Sequence, residues 1–491
     1  MVFATFTLLP MVGLAIDFSV VYNVKARLQQ ACDAAAIGAG SEVQRSTNVL
    51  DPTQNAALTA TILRFFNANF SPAPWRASQL SYTSTVTQDP TTKIRSIYVT
   101  ATYSVPMLFM RVLRINNTQV AAQAIADIRF VNLMLVIDRS GSVDRTSIGA
   151  QTNPQIIESD LSSFVGTSST SIFVNGRDVV GMVSFGGNYN LDYAPSTNFQ
   201  TSSPNINTAI NNIFFDNNST NTGEGLYQAW YQLTQLNQTG ALNVIVLITD
   251  GRPSAVTGNY VLKGGSSCSN KSAKAGFLDA NVNDGNPYTA FPKPDPANFP
   301  VNGILMVSPV CNTTSPFPAG CEASTVASNS SGCTYASSPS SVNSDVTAIP
   351  SLVGPVTNIT GANVPYQTTF SSTSGYLSNP SPLVSNSNNV RYAAFNYADN
   401  VAKAIRTDTT YTPVIYCVGL NFDPATFPDE EPLDSDFLAR LANDPSYTST
   451  TSPSGVFQTG QTPGKYYNVT YGGLGAALSD ITSQILRLAA H

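Results

Sequence analysis

The chain has 491 residues, a formal net charge of -6, a pI near 4.8 and only 11% charged residues. Its length allows two or three domains with a sizeable core, and its acidic balance without a basic run excludes nucleic acid as a partner. The single histidine, His491, is the last residue, which removes Ser-His-Asp and Cys-His catalysis, His-ligated zinc and most general-base schemes.

In chain order, Met1 to Ile16 comes first and carries no charge. As a helix it reaches about 24 Å, short of a ~30 Å hydrocarbon core. Continuing past Asp17 through Phe18 to Tyr22 supplies the missing length, with one carboxylate near the membrane edge. Lys25 and Arg27 follow the apolar run and no basic residue precedes it. That argues against a signal peptide and fits a chain that begins inside its membrane helix. From Ala15 to Val43 the sequence reads as one continuous helix. Gly13, Ala15 and Asp17, then Leu28, Gln29, Ala31, Asp33, Ala34 and Ala35, resemble the N-terminal segment of TadG-like proteins of the tight-adherence (Flp) pilus assembly system. The resemblance covers residues 1–44. It implies a membrane-anchored protein of the bacterial cell envelope, its later domain extracytoplasmic, with pilus-assembly proteins as possible partners.

Residues 54 to 70 have helical spacing, with Ala57, Ile62, Phe65, Phe66 and Phe70 able to share a face. Alternating stretches around 80–88 and 94–105, separated by a turn at Asp89-Pro90, predict a β-hairpin. Residues 45–128 therefore read as a small α+β spacer without evident chemistry.

From 129 onward, continuous apolar strands alternate with helical segments: "RFVNLMLVID", "DVVGMVSFG", "ALNVIVLITDG", "TPVIYCVGL" and "KYYNV" against "PQIIESDLSSFV", "GEGLYQAWYQLTQL", "YADNVAKAI", "DSDFLARLA" and "LGAALSDITSQILRL". That pattern predicts a mostly parallel sheet with helices on both faces. In such sheets the working residues lie beyond the carboxyl ends of the strands, and two strands here end in aspartate, Asp138 and Asp250. Ser140 and Ser142 can turn two hydroxyls to one point, Thr220 offers a third, and the two carboxylates complete an oxygen set suited to a hard cation such as Mg²⁺. Most of these ligands are neutral, so the ion stays electron-poor, with a position open for a carboxylate from another protein. Arg139, between ligands, should point away from the ion.

Asp138-x-Ser140-x-Ser142, a downstream Thr, and Thr249-Asp250-Gly251 resemble the metal-ion-dependent adhesion site (MIDAS) of von Willebrand factor type A (VWA) domains. The resemblance implies a Rossmann-like α/β fold over 129–491, preceded by the membrane helix of 1–44 and the spacer of 45–128. In that family the threonine stands five residues before the Gly of a Gly-apolar pair; Gly225-Leu226 places it at Thr220, with Thr222 as the fallback. The intervals from Ser142 to Thr220 and from Thr220 to Asp250 are 78 and 30 residues. The site residues are thus Asp138, Ser140, Ser142, Thr220 and Asp250, with Mg²⁺ (or Mn²⁺ or Ca²⁺) as cofactor. The implied partner is a protein or surface ligand that presents a carboxylate. The function expected is metal-bridged adhesion, not enzymatic catalysis; the alternatives are a pilus-assembly scaffold that docks partners without metal, and a metal-assisted hydrolase.

A large insertion, about 258–390, follows the second aspartate and is rich in Ser, Asn, Pro, Gly and Thr. It holds Cys268, Cys311, Cys321 and Cys333, spaced by 43, 10 and 12 positions with no C-x-x-C. Two disulfides in an oxidising compartment fit this spacing better than zinc, and three pairings are open. Cys32 and Cys417 stand alone in apolar surroundings and read as small buried residues.

Overall fold

The computed structural model describes residues 2–45, 51–70, 80–90, 92–143, 147–148, 151–166, 171–187, 189–215, 220–250, 253–260, 274–279, 302–305, 352–353, 364–365, 387–421, 433–448 and 456–489. The chain forms two compact units, one comprising Met1–Phe130 with Ile485–His491, the other Val131–Gln484.

The first unit packs three helices, α1 (Val2–Gly38), α2 (Gly40–Arg45) and α3 (Pro52–Asn69), with an antiparallel meander of β1 (Leu80–Gln88), β2 (Arg95–Pro106) and β3 (Asn117–Ile128). β2 alternates strictly, burying Ile97, Val99, Ala101, Tyr103 and Val105 on one face, the period-2 signature of a half-buried strand. The second half of α1 lies in the same core through Leu28, Ala31, Cys32, Ala35 and Ala36. Helix α3 starts on Asp51, which accepts the Thr53 and Gln54 amides at 3.0 Å, with Pro52 at its first position. Its buried stripe is Leu58, Ile62, Phe66 and Phe70, while Ala57 is exposed. The face is rotated one residue from the expected one because the larger Leu58 takes the interior. The helix expected to run unbroken to Val43 breaks at Ala39, where Gly38 lies against the Phe65 ring so closely that a Cβ would sit 2.7 Å from it.

In the second unit a six-stranded sheet has the order β16-β15-β9-β4-β7-β8. Its strands are β4 (Val131–Asp138), β7 (Val179–Phe185), β8 (Tyr189–Ser196), β9 (Leu242–Thr249), β15 (Val414–Asn421) and β16 (Lys465–Thr470). All neighbours pair in parallel except β7 with β8. Every residue of β4, β7 and β9 is buried, as a sheet covered on both sides requires. On one face Met134, Val136, Ile245 and Leu247 pack under α6 (Thr222–Leu236), α7 (Ser387–Arg406) and α8 (Ser435–Ala442). The opposite face, with Leu133, Leu135, Val244 and Val246, is left to α4 (Asn153–Val165) and α9 (Leu474–Ala489), whose Ile157, Leu161, Leu478 and Ile481 are buried. Minor elements complete the unit: a two-residue ladder of β5 (Ser147–Ile148) with β6 (Gln151–Thr152), and the short α5 (Ile206–Ile210).

The insertion expected at about 258–390, rich in Ser, Asn, Pro, Gly and Thr, contains strand structure. β10 (Ala255–Tyr260), β11 (Lys274–Asp279), β12 (Asn302–Leu305), β13 (Leu352–Val353) and β14 (Val364–Pro365) form an antiparallel sheet in the order β12-β11-β10-β13-β14. Cys268, Cys311, Cys321 and Cys333 lie outside the described residues. Cys32 and Cys417 are both buried free thiols, and burial pushes the Cys32 thiol up to about 11.

Candidate metal and adhesion site

Parallel register assembles the site. Ile137 pairs with Ile248, so Asp138 and Thr249 stand level at the carboxyl ends of two adjacent central strands, and Asp250 follows one residue on. Thr249 Oγ1 donates to Asp138 Oδ2 at 2.5 Å. The other Asp138 oxygen accepts the Ser140 amide at 2.9 Å, a local side-chain-to-backbone turn that swings the chain away from the strand. Ser140 and Ser142 hydroxyls lie 3.0 Å apart, and the Ser142 hydroxyl donates to Asp250 Oδ1 at 2.9 Å. Four of the five expected site residues are therefore joined in one chain of hydrogen bonds.

The fifth, Thr220, is buried just before α6. Its amide donates to the Ser254 hydroxyl at 3.0 Å, and its carbonyl accepts the Ser254 and Ala255 amides at 2.8 and 3.1 Å. Ser254 belongs to the segment that leaves Asp250, so this clasp ties the threonine loop to the second aspartate's strand. The next residue, Asn221, caps α6, and its Nδ2 donates to the Gly187 carbonyl and to Thr257 Oγ1 at 3.0 and 2.8 Å. Thr222, the fallback, is 1% exposed, and its hydroxyl has no hydrogen-bond partner among the described residues. Gly225 lets α6 approach the sheet: a Cβ there would lie 2.6 Å from the Phe185 ring.

Two features were not found by sequence reasoning. Tyr471, just before α9, donates its hydroxyl to Asp250 Oδ2 at 2.7 Å. Burial and the Asp250 charge raise its phenol well above the ordinary 10, so it remains a donor. It lies 221 residues from its partner, beyond any local pattern. The second is the Thr249 hydroxyl's role toward Asp138; its place beside Asp250 was the only signal. Arg139 directs Nη1 to the Phe214 carbonyl at 3.5 Å while its charge acts on both Asp138 and Asp192.

The donor set suits a small hard cation. Asp138 is 1% exposed and Asp250 4%. Burial raises the Asp138 carboxyl above its ordinary 3.8, against the opposing hydrogen bonds of Ser140 and Thr249 and the Arg139 charge. A buried carboxylate pushed this way gains from a nearby positive charge. Among the described residues no three His, Cys, Asp or Glu side chains cluster, so the set mixes hydroxyls with two carboxylates and is not an acidic cage.

Residues 132–269 match the family model of the von Willebrand factor type A domain, and residues 1–42 match that of putative Flp pilus-assembly TadE/G-like proteins. No curated protein matches the sequence. Among solved structures the chain is similar to the pilus adhesin SpaC from Lactobacillus rhamnosus GG in an open conformation (12% identity, 85% of this chain and 35% of that one, TM-score 0.33). It is also similar to the PilB minor pilin from Streptococcus sanguinis (15%, 84% and 79%, 0.34). A third is the vWF domain of the type V pili tip protein Mfa5 from Porphyromonas gingivalis (14%, 74% and 97%, 0.35). The chain thus spans about a third of the SpaC chain. It joins an N-terminal segment of the TadE/G-like Flp pilus-assembly family to a von Willebrand factor type A domain.

Proposed function

We propose that the chain is a pilus-associated adhesion protein of the cell envelope, and that Asp138, Ser140, Ser142, Thr220 and Asp250 hold a divalent cation, Mg²⁺ or else Mn²⁺ or Ca²⁺. When bound, the cation would supply a positive charge for a carboxylate on a partner protein or surface. The observation that carries this reading is the pair of buried carboxylates at adjacent strand ends, bridged by the Ser140 and Ser142 hydroxyls. Ser140 and Ser142 present neutral oxygens, Thr249 and Tyr471 orient the two carboxylates, and the Ser254 clasp holds Thr220 to the same edge.

The TadE/G-like segment supports attachment to the envelope, with the VWA domain outside the cytoplasm. Among the described residues no helix is long and apolar enough to cross a membrane. α1 past Asp17 packs in part on the first unit, with Val20, Val21 and Val24 against its core. Anchorage in this reading therefore rests on the uncharged stretch before Asp17. The four cysteines of the insertion are read as two disulfides, as an oxidising compartment allows.

One observation favours a second reading, a pilus-assembly scaffold that docks partners without metal: hydroxyls of Thr249, Ser142 and Tyr471 already satisfy the two carboxylates. Two measurements separate the readings. Mn²⁺ titration followed by electron paramagnetic resonance should show one bound ion in the chain and none in Asp138→Ala. Binding to purified Flp pili and to matrix-protein surfaces should fall at least roughly tenfold in chelator and in Asp138→Ala, given what removing one side of a buried charge contact costs. Binding that survives both treatments leaves the scaffold reading standing.

A further inference from the structure

The connection between β2 and β3, residues 107–116, is a built structure. The Met107 amide donates to the Asn116 carbonyl at 2.9 Å, Val112 to Phe109 at 3.1 Å and Ile115 to Met110 at 3.2 Å. Arg114, at φ 63°, ends a 3-10 turn over Met110–Leu113. Asp17 of α1 is 2% exposed. Its two oxygens accept the amides of Leu108, Phe109 and Met110 at 2.9, 2.9 and 2.7 Å. One helical turn earlier, Gly13 leaves no room for a side chain, since a Cβ would lie 2.6 Å from the Phe109 ring. Helix and hairpin tip are clamped together.

With these amides turned inward onto Asp17, Met107 and Met110 pack on the core while the tip's other apolar side chains face outward. Val112 is 87% exposed and Leu113 64%, with Leu108, Phe109 and Ile115 beside them. The facing part of α1 exposes Met11, Val12, Leu14, Ile16 and Phe18. Together with Tyr22, these two stretches hold eleven of the sixteen exposed large apolar side chains among the described residues, where a soluble surface scatters them singly.

Two observations identify what covers this patch. It continues into Met1 to Ile16, a stretch without charge. Arg111 and Arg114 are exposed among the apolar side chains, residues 107–116 include no acid, and the one carboxylate at hand, Asp17, is buried and bound by three amides. An apolar tip with a cationic rim matches an acyl boundary beneath phosphate headgroups, with the arginines reaching back to the phosphates. We infer that residues 108–115 form a membrane foot that inserts Leu108, Val112 and Leu113 into the interface of an anionic bilayer, beside the first turns of α1. This rests on the anchorage reading above and adds a second, hairpin-borne contact to it.

The test uses the full chain with one added tryptophan, either Val112→Trp or Leu14→Trp, the signal of Trp75 and Trp230 being subtracted from the unsubstituted protein. Vesicles of phosphatidylcholine, with and without phosphatidylglycerol, carry brominated acyl chains that quench only a tryptophan within the bilayer. Both added tryptophans should be quenched severalfold. The tightening of binding by phosphatidylglycerol should weaken roughly thirtyfold in Arg111→Gln/Arg114→Gln, about what two basic groups contribute at an anionic surface. Quenching at position 14 without quenching at 112 overturns the foot and leaves the anchor; quenching at 112 alone keeps the foot and removes the anchor. No vesicle binding overturns both. A blue shift at 112 that grows with protein concentration in the absence of vesicles overturns the foot in favour of a second copy of the chain.

Discussion

Glu224 shows how burial at a single residue sets a response to pH. It lies in the first turn of α6, 1% exposed, and accepts hydrogen bonds from Gln228 Nε2 at 2.7 Å and the Tyr397 hydroxyl at 3.0 Å. Burial raises its carboxyl above the ordinary 4.5, and the hydrogen bonds of Gln228, Tyr397 and Thr257 only partly offset this. A folded value above the unfolded one means the stability contribution is complete below 4.5 and is lost as pH rises through the folded value. Glu224→Gln keeps the shape and removes the titration. Its urea midpoint should gain on the unsubstituted protein as pH rises from about 4 to 8; a difference that is flat across that range would refute the assignment. At this scale the sequence showed Asp138, Ser140, Ser142 and Asp250, because a strand-end aspartate and a Ser-x-Ser loop are local patterns. Tyr471 and the Ser254 clasp on Thr220 were hidden, since each depends on chain brought from a distant segment.

Among the elements, the α7–α8 pair is joined by charge. Arg440 Nε and Nη2 meet the two oxygens of Asp399 at 2.7 and 2.8 Å, and both side chains are buried. Arg406 Nη1 donates to the carbonyls of Arg440 and Leu441 at 2.8 and 2.7 Å, holding the last turn of α8. Asp399→Ala takes the facing carboxylate from the buried Arg440 guanidinium, and the expected loss is about 3–5 kcal/mol in chemical denaturation. Asp399→Leu combined with Arg440→Met should lose less than the sum of the two single changes, because the pair leaves together, while the buried Arg406 guanidinium keeps its bonds to Gln461 and to the two carbonyls. The parallel strands were legible because burial on both faces makes each a continuous apolar run. The antiparallel edge strand β8 was not. "YNLDYAPS" carries Asp and Pro, is only partly buried, and meets β7 through irregular register, so no period-2 pattern marks it.

At the scale of the whole molecule, each unit carries its own hydrophobic core, and the cysteines divide in the same spirit: two buried thiols within the units, four in the insertion. Paired disulfides in the insertion predict that the unfolded, unreduced chain alkylates at Cys32 and Cys417 alone, and at all six cysteines only after reduction. Mass spectrometry distinguishes this from six reactive thiols at the outset, the outcome that removes the pairing. The Asp17 clamp has its own consequence at this scale. A protein tethered through one helix can swivel about that helix and present any side to its surroundings. Here three amides and a glycine contact lock a hairpin to the helix, so the two turn as one piece. In the membrane-foot reading proposed above, the tip would rest in the same bilayer, giving the first unit two footings instead of one and fixing its compass bearing about the helix axis.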